Sequence, residues 1–354
     1  MVKIAVIGAG IIGLSSAYVL KTFDDHLDIT LFAEKFSPNT TSDGAAGIFK
    51  VNERDEGLTN TSEEKIRKWA ADTYKWYKEI LRTDSAPKLG ICHISGYLLS
   101  DKDTLEVGSW SKVLDNLVKL SKEQLASFGE EIRSGYFLTS VICESSKYLP
   151  WLLERFKEKN GKIVRKRINS FSELSDYDVI VNCTGIGARD LCKDSDVVPL
   201  RGQVARVKAP WMRHFYYVSY SSGSQSRATY LYPNIDNVVV GGVLQSSWKT
   251  DLSEEDHKRI MDGAYAFMPS LKKAEIIKKW VGLRPSRLTS VRLEKEDMWL
   301  KTADGMTTKK VRVVHNYGHG PCGITLHWGC AQNALELVKQ SLEEINGLSS
   351  KSKL

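Results

Sequence analysis

The chain has 354 residues, 42% of them hydrophobic and 26% charged, which suits a soluble globular protein with room for two domains. Its net charge of +7 comes from 50 Lys and Arg interleaved with 43 Asp and Glu, a spread that excludes a concentrated nucleic-acid or membrane-binding stripe and at most steers anionic substrates. The six cysteines (Cys92, Cys143, Cys183, Cys192, Cys322 and Cys330) include no Cys-x-x-Cys pair, so reduced thiols of an intracellular protein are expected, with no metal or disulfide framework.

Lys3 to Ile7 is a β-branched, apolar run of the kind found in buried parallel strands, and Gly8, Gly10 and Gly13 follow it directly. Gly8 permits a tight turn, Gly10 lets backbone amides approach a pyrophosphate, and Gly13 lets a helix pack close to the strand. Ile11 to Lys21 has helical apolar spacing, so its amino-terminal amides and its dipole face the phosphates. Asp28 to Phe32 reads as the second strand, and Glu34 beyond it is placed to accept from a ribose hydroxyl and to disfavour a 2′-phosphate. A strand this early leaves no place for a secretory leader, and no apolar run reaches the length of a membrane span.

Ser37 to Gly47 then breaks all periodicity, and its small residues suggest a second loop against the cofactor. Residues 61–82 carry Ile66, Trp69, Ala70, Thr73, Tyr74 and Tyr77 at helical spacing, aromatics that suit a core. Gly90 to Ser100 alternates like a strand, Lys112 to Leu125 reads as a helix, and Tyr148 to Asn160 as another that Gly161 closes. Tyr177 to Gly185 returns as a parallel strand entering a glycine turn. The segments after Arg201-Gly202-Gln203, including Thr229 to Pro233 and Asn237 to Gly242, suit an antiparallel sheet. Val311 to Tyr317 is a final strand, followed by a glycine turn from Gly318 to Thr325 and a helix from about Leu326 to Ile345.

Two glycine-rich turns at opposite ends of the chain can hold opposite ends of one long cofactor, which FAD satisfies better than NAD. The second turn aims helix amides at a flavin carbonyl and stabilises negative charge on the reduced ring. Neither a Ser/His/Asp elbow nor a phosphate-transfer lysine motif is present, which weighs against hydrolases and kinases. His319 and His327 are the histidines nearest this chemistry; bonding to loop backbone is the commoner role for such residues.

In this setting several segments together resemble the D-amino-acid oxidase and D-aspartate oxidase family of FAD enzymes. They are Ile7 to Ser15, Thr40 to Gly47, Val181 to Gly185, Arg201 to Gln203, Ala209 to Trp211, Gly282 to Pro285, His315 to Gly320 and Gly323 to Gly329. The resemblance implies an α/β fold: a discontinuous, doubly wound, Rossmann-like FAD-binding domain (residues 1–46, 143–196 and 284–345) and an antiparallel-sheet substrate domain (47–142 and 197–283), with a flexible tail over 346–354. It implies non-covalent FAD held by Gly8, Ala9, Gly10, Ile11, Ile12, Gly13, Glu34, Lys35, Thr40, Thr41, Ser42, Gly47, Ile168, Thr184, Gly185, Gly320, Gly323, Ile324 and Thr325. It also implies that Arg284 grips the substrate α-carboxylate and that Tyr230 adds a hydroxyl to the same group; a planar guanidinium suits that task because it fixes orientation as well as charge. The implied reaction moves the α-hydrogen of a D-amino acid to flavin N5 as hydride and ends in a 2-oxo acid, ammonia and hydrogen peroxide, with no general base at carbon.

The scaffold segments lean toward the D-aspartate branch, but Leu244 stands where the acidic-substrate branch places an arginine, and the Tyr217 to Ala228 loop is longer and Ser-rich. Arg227, three residues before Tyr230, is the candidate for the missing side-chain carboxylate contact, with Lys50 and Arg54 contributing at the entrance, and the Pro321 carbonyl is the candidate for the substrate ammonium. A neutral D-amino-acid oxidase, a glycine-type or sarcosine-type amine oxidase and a non-enzymatic flavin-binding protein are the competing readings. Ser352-Lys353-Leu354 at the end of a Ser/Lys-rich tail reads as a peroxisomal address for an import receptor.

Overall fold

The computed structural model describes residues 2–51, 58, 60–220, 227–302 and 305–351; of Arg227 and of 348–351 it describes the backbone alone. Among these residues, a six-stranded sheet runs in the spatial order Arg292–Lys301, Thr308–Tyr317, Val179–Asn182, Lys3–Ile7, Asp28–Ala33 and Lys162–Arg165. All neighbours are parallel except the first pair, which is an antiparallel hairpin. Ile4 to Ile7 of the strand Lys3–Ile7 is apolar without alternation because both faces are covered: Ile4 and Val6 join one core with the helices Ile11–Phe23, Glu63–Leu81, Ser145–Glu158 and Gly323–Lys351, while Ala5 and Ile7 join another with Phe171, Leu174 and Ile180.

Three adjacent parallel strands end side by side at Ile7, Asn182 and Tyr317, and each feeds a glycine turn. Ligands of open parallel sheets bind outside these carboxyl ends, so the topology alone brings the two ends of the chain to one crevice.

The second sheet has nine strands among the described residues. Val197–Lys208, near one end of it, pairs with Val238–Gly241, Gln245–Ser246 and Glu275–Arg287. The ladder continues through Arg227–Pro233, Phe215–Tyr220, Ile91–Ser100, Ser134–Cys143 and Asn116–Lys119. It is antiparallel but for one pair, Ile91–Ser100 beside Phe215–Tyr220.

Two expected elements differ. The helix expected over Lys112 to Leu125 is a 3-10 turn (Ser109–Val113), the strand Asn116–Lys119 and a short helix (Lys122–Ala126). Asn116–Lys119 pairs with Ser134–Cys143, and the Ser121 hydroxyl accepts from the Gln124 amide, so a tertiary ladder and a local cap divide the apolar pattern. The closing helix starts at Gly323 instead of Leu326 and runs to Lys351, beyond Ile345; Asn346 and Gly347 weaken a helix without ending it as proline would. The Tyr217 to Ala228 segment is strand at both ends, Tyr217 to Tyr220 and Arg227 to Ala228.

Candidate active site

A cavity of about 700 Å³ opens along the carboxyl ends of the parallel strands and continues against the second sheet. At one end the backbone is kept bare. Gly8 has φ of +109°, and a Cβ on it would lie 2.4 Å from the Cys183 carbonyl oxygen. A Cβ on Gly13 would lie 1.8 Å from the Gly8 oxygen, so the first helix packs on the turn with no space to spare. Ile11, the first residue of that helix, donates its amide to Ser42 Oγ at 3.0 Å. Ser42 belongs to the loop that breaks periodicity, and Asp43 organises it: its carboxylate accepts from the Thr40 amide (2.8 Å), the Thr40 hydroxyl (2.6 Å) and the Ser37 hydroxyl (2.5 Å). Arg206 ties the same loop to the second sheet by donating to the Asp43 and Ala45 carbonyls, each at 3.3 Å. Glu34, its side chain 52% exposed, lies 3.6 Å from Arg167, which also reaches Asp190 at 3.9 Å.

Toward the other end, Gly320, Pro321, Gly323 and Ile324 line the wall where the closing helix begins. Gly318 and Gly320 have φ of +90° and +53°, which let the chain reverse tightly before that helix. The helix is fixed to its surroundings by two side chains behind the wall. The Thr325 hydroxyl accepts from the Lys50 amide (3.1 Å) and donates to the Lys50 carbonyl (2.9 Å). His327 bridges Ser15 Oγ (2.7 Å) and the Tyr77 hydroxyl (3.1 Å), and Tyr77 donates to the Ile324 carbonyl at 2.8 Å. Burial pushes the His327 pKa down to about 3, so the ring is neutral. Because the one Tyr77 proton goes to Ile324, His327 donates from Nε2 and accepts from Ser15 at Nδ1. His327 thus joins the two glycine-turn helices and does not line the cavity, whereas His319 lines it, buried and held to about 3.

Arg284 and Tyr230 meet where the cavity passes over the second sheet. Each crosses a glycine: a Cβ on Gly202 would lie 2.3 Å from the Arg284 guanidinium, and one on Gly241 would lie 2.3 Å from the Tyr230 hydroxyl. Besides its contact with the Tyr230 hydroxyl, Arg284 makes long contacts to the Leu200 and Val243 carbonyls, at 3.5 and 3.4 Å, and no carboxylate pairs with it among the described residues. Its remaining donors are therefore free for a ligand. Burial raises the Tyr230 pKa while Arg284 opposes the rise; the tyrosine stays a neutral hydroxyl at neutral pH. Leu244 (55% exposed) and Trp248 (53%) line the same region. Arg201 anchors the segment that bears them, pairing with buried Asp256 at 2.6 Å and donating to Gln245 Oε1, the Lys249 carbonyl and the Asp251 carbonyl.

Among the residues expected from sequence, the cavity gathers Gly8, Ala9, Gly10, Ile11, Ile12, Glu34, Lys35, Thr40, Thr41, Ser42, Gly47, Lys50, Ile168, Thr184, Gly185, Tyr230, Arg284, Gly320, Pro321, Gly323 and Ile324. Gly13 and Thr325 lie behind its wall. The Arg227 side chain, Arg54 and Ser352 to Leu354 fall outside the described residues. Sequence reasoning missed Asp43 and Arg206 as organisers, Trp280 packed on Gly44, and Tyr217 on the wall. Only the Thr-Thr-Ser-Asp spacing carried a local signal, that of a capped turn.

Two helix amino-termini on one cavity, bare glycine backbone at both and an acid beyond the second strand fit a long dinucleotide held at both ends. A family model described as FAD dependent oxidoreductase matches residues 3–337. The D-amino acid oxidase of Dugesia ryukyuensis is 36% identical over 345 residues, covering 96% of this chain and 98% of that protein. The D-aspartate oxidase of Homo sapiens is 35% identical over 355 residues, covering 99% of each. The glycine oxidase from Geobacillus kaustophilus superposes with a TM-score of 0.71 at 16% identity, over 96% of this chain and 95% of that one, a likeness of fold. The chain therefore belongs to the D-amino-acid oxidase and D-aspartate oxidase family of FAD-dependent oxidoreductases, with FAD as its cofactor.

Proposed function

We propose that the protein oxidatively deaminates D-amino acids, with acidic ones, D-aspartate and D-glutamate, preferred. Bound FAD supplies the two-electron acceptor for the α-hydrogen, and oxygen is the terminal oxidant. In net terms a D-amino acid, oxygen and water give a 2-oxo acid, ammonium and hydrogen peroxide. Arg284 holds the α-carboxylate by its fork and Tyr230 donates to the same group, which together fix the α-carbon; the Pro321 carbonyl is the proposed acceptor for the substrate ammonium. The observation that carries this reading is the Arg284–Tyr230 pair, laid over two glycines in the cavity that both glycine turns share and unpaired with any described carboxylate.

The acidic preference rests on charge. Six cationic side chains line the cavity (Lys35, Lys50, Lys166, Arg167, Arg189 and Arg284) against two carboxylates, Glu34 and Asp190, both near Arg167 at the nucleotide end, so a positive excess remains after the two charges of the FAD diphosphate are counted. A substrate carrying a second carboxylate lowers this imbalance, whereas an unpaired buried carboxylate would be costly. A peroxide-coupled assay on D-Asp, D-Glu, D-Ala, D-Met and D-Arg tests the proposal. The expected result is a kcat/KM at least about tenfold higher for D-Asp or D-Glu than for D-Ala. Faster turnover of D-Ala or D-Met selects the neutral D-amino-acid oxidase, and yellow protein that makes no peroxide from any of the five rejects the D-amino-acid oxidase reading.

A peroxisomal location is part of the same proposal, supported by the Ser352-Lys353-Leu354 tripeptide and by the need to confine a peroxide producer. Removing the tripeptide from an amino-terminally tagged protein should move it from peroxisomes to cytosol with kcat/KM unaltered. Persistent peroxisomal fluorescence after truncation would reject the address.

A further inference from the structure

We infer that Lys50 is the specificity-determining cation of this site: its ammonium receives the side-chain carboxylate of a dicarboxylic D-amino acid whose α-carboxylate lies on Arg284. The inference rests on the D-amino-acid oxidase reading and adds to it the residue that selects the substrate.

The placement of Lys50 begins with its neighbours. Phe49 and Val51 are buried in the main core, and the Phe49 backbone is held by the Val141 carbonyl (2.8 Å) and the Ser140 hydroxyl (2.6 Å). Alternation then turns Lys50 the other way, into the cavity. Its own backbone is pinned at both polar atoms by the Thr325 hydroxyl, so the lysine stem starts from a fixed point at the first turn of the closing helix.

The ammonium end is also placed. Lys50 Nζ lies 4.3 Å from the centroid of the Tyr217 ring. Tyr217 sits directly opposite Tyr230 in the antiparallel ladder, and Tyr230 in turn lies beside Arg284. One wall of the cavity therefore reads Lys50, Tyr217, Tyr230, Arg284: two cations separated by two neutral aromatics. Neither cation has a carboxylate partner among the described residues. Contact with an aromatic face orients an ammonium and leaves donors available, since the ring takes no hydrogen bond of ordinary strength from all three N–H groups.

Leu244, on the same wall, can contribute only apolar surface. Among the described residues, Lys50 is the cation set beside Tyr217 and Tyr230 that a substrate side-chain carboxylate entering this space would meet. With Lys50 present, it gains a charge-assisted hydrogen bond from a group already held in position. Tyr217 supports this by fixing the ammonium, so its ring matters and its hydroxyl does not.

The test uses Lys50→Met, which keeps the unbranched stem and removes the charge, in the FAD-loaded enzyme. The expected result is a rise in KM that lowers kcat/KM for D-Asp about ten- to hundredfold more than for D-Ala. Lys50→Arg should recover much of the loss, and Tyr217→Leu should raise KM for D-Asp more than Tyr217→Phe. Titration with succinate and with propionate, followed by the flavin absorbance spectrum, gives a readout independent of turnover: Lys50→Met should weaken succinate far more than propionate. Equal losses for D-Asp and D-Ala, or for succinate and propionate, would make Lys50 a scaffold residue and overturn the inference. A selective D-Asp defect in Arg227→Ala with none in Lys50→Met would also overturn it, assigning the role to Arg227. Wild-type enzyme that oxidises no D-amino acid in the panel would instead refute the reading on which the inference stands.

Discussion

Replacing Arg284 by lysine is expected to leave FAD bound and to lower kcat/KM by about ten- to hundredfold for every accepted substrate. The reason lies in geometry more than in charge. A guanidinium presents parallel N–H donors to a carboxylate, whereas an ammonium is a point charge that can pivot around one oxygen. In the proposed reaction hydride would leave usefully only with the α-carbon held at a fixed distance and angle, so a carboxylate free to rotate would lose the near-attack geometry before it lost binding. The room for this fork is built into the sheet, since Gly202 lies under the Arg284 guanidinium and any side chain there would collide with it. Lysine fits the same channel and keeps the positive field, so the variant separates orientation from electrostatics. Flavin absorbance of the purified variant checks cofactor retention, and steady-state peroxide kinetics check the loss. If kcat/KM stayed near the wild-type value, Arg284 would be a scaffold residue and the carboxylate site would lie elsewhere.

The cofactor half of the molecule was legible because its requirements are local. A strand covered on both faces must be apolar without alternation, and the turn after it must combine a positive φ, a bare approach and close helix packing. Those demands fall on Gly8, Gly10 and Gly13 in that order, and only glycine meets them. The acid after the second strand and the second glycine turn follow the same logic.

The substrate half was legible only through resemblance. Nothing adjacent to Arg284 in sequence distinguishes it from Arg287, which is held by Asp194 at 2.8 Å as an ordinary half-buried ion pair. The difference is made by Gly202 on the neighbouring strand, which leaves Arg284 space to lie across the sheet. Lys50 is a similar case: a lone lysine after an apolar run reads as surface charge, and its placement depends on Thr325 at the far end of the chain. The misread helix over Lys112 to Leu125 has the same cause, since the Ser134–Cys143 strand that recruits Asn116–Lys119 is not visible from the segment itself. Arg292–Lys301 escaped notice because its charges, among them Arg292 with Glu294 and Glu296 and Asp297 with Lys310, neutralise one another along a hairpin and leave no apolar alternation.

Gly13→Ala should weaken FAD binding by at least about tenfold and lower the stability of the apoprotein, since overpacking of this kind costs roughly 1–3 kcal/mol. The added methyl would sit 1.8 Å from the Gly8 oxygen and 2.8 Å from its carbonyl carbon, both backbone atoms that no rotamer change can move. Relief requires the first helix to withdraw from the strand, and that would carry its amino-terminal amides away from the phosphates proposed to bind there and strain the Ile11 amide's bond to Ser42 Oγ. Gly10→Ala should be milder in the apoprotein, because its methyl meets only the Ser42 hydroxyl oxygen at 3.2 Å, on a side chain that can rotate. Gly347→Ala is the opposite control: it lies in the closing helix with nothing within 4 Å of the new methyl, and alanine there should stabilise by up to about 1 kcal/mol through helix propensity. Fluorescence titration of each apoprotein with FAD measures affinity, and urea unfolding of the same samples measures stability. Wild-type FAD affinity in Gly13→Ala would show that the first helix does not deliver its amides to the cofactor. A loss of affinity confined to Gly13→Ala and Gly10→Ala, with Gly347→Ala unaffected, would tie cofactor binding to the close packing of that single turn.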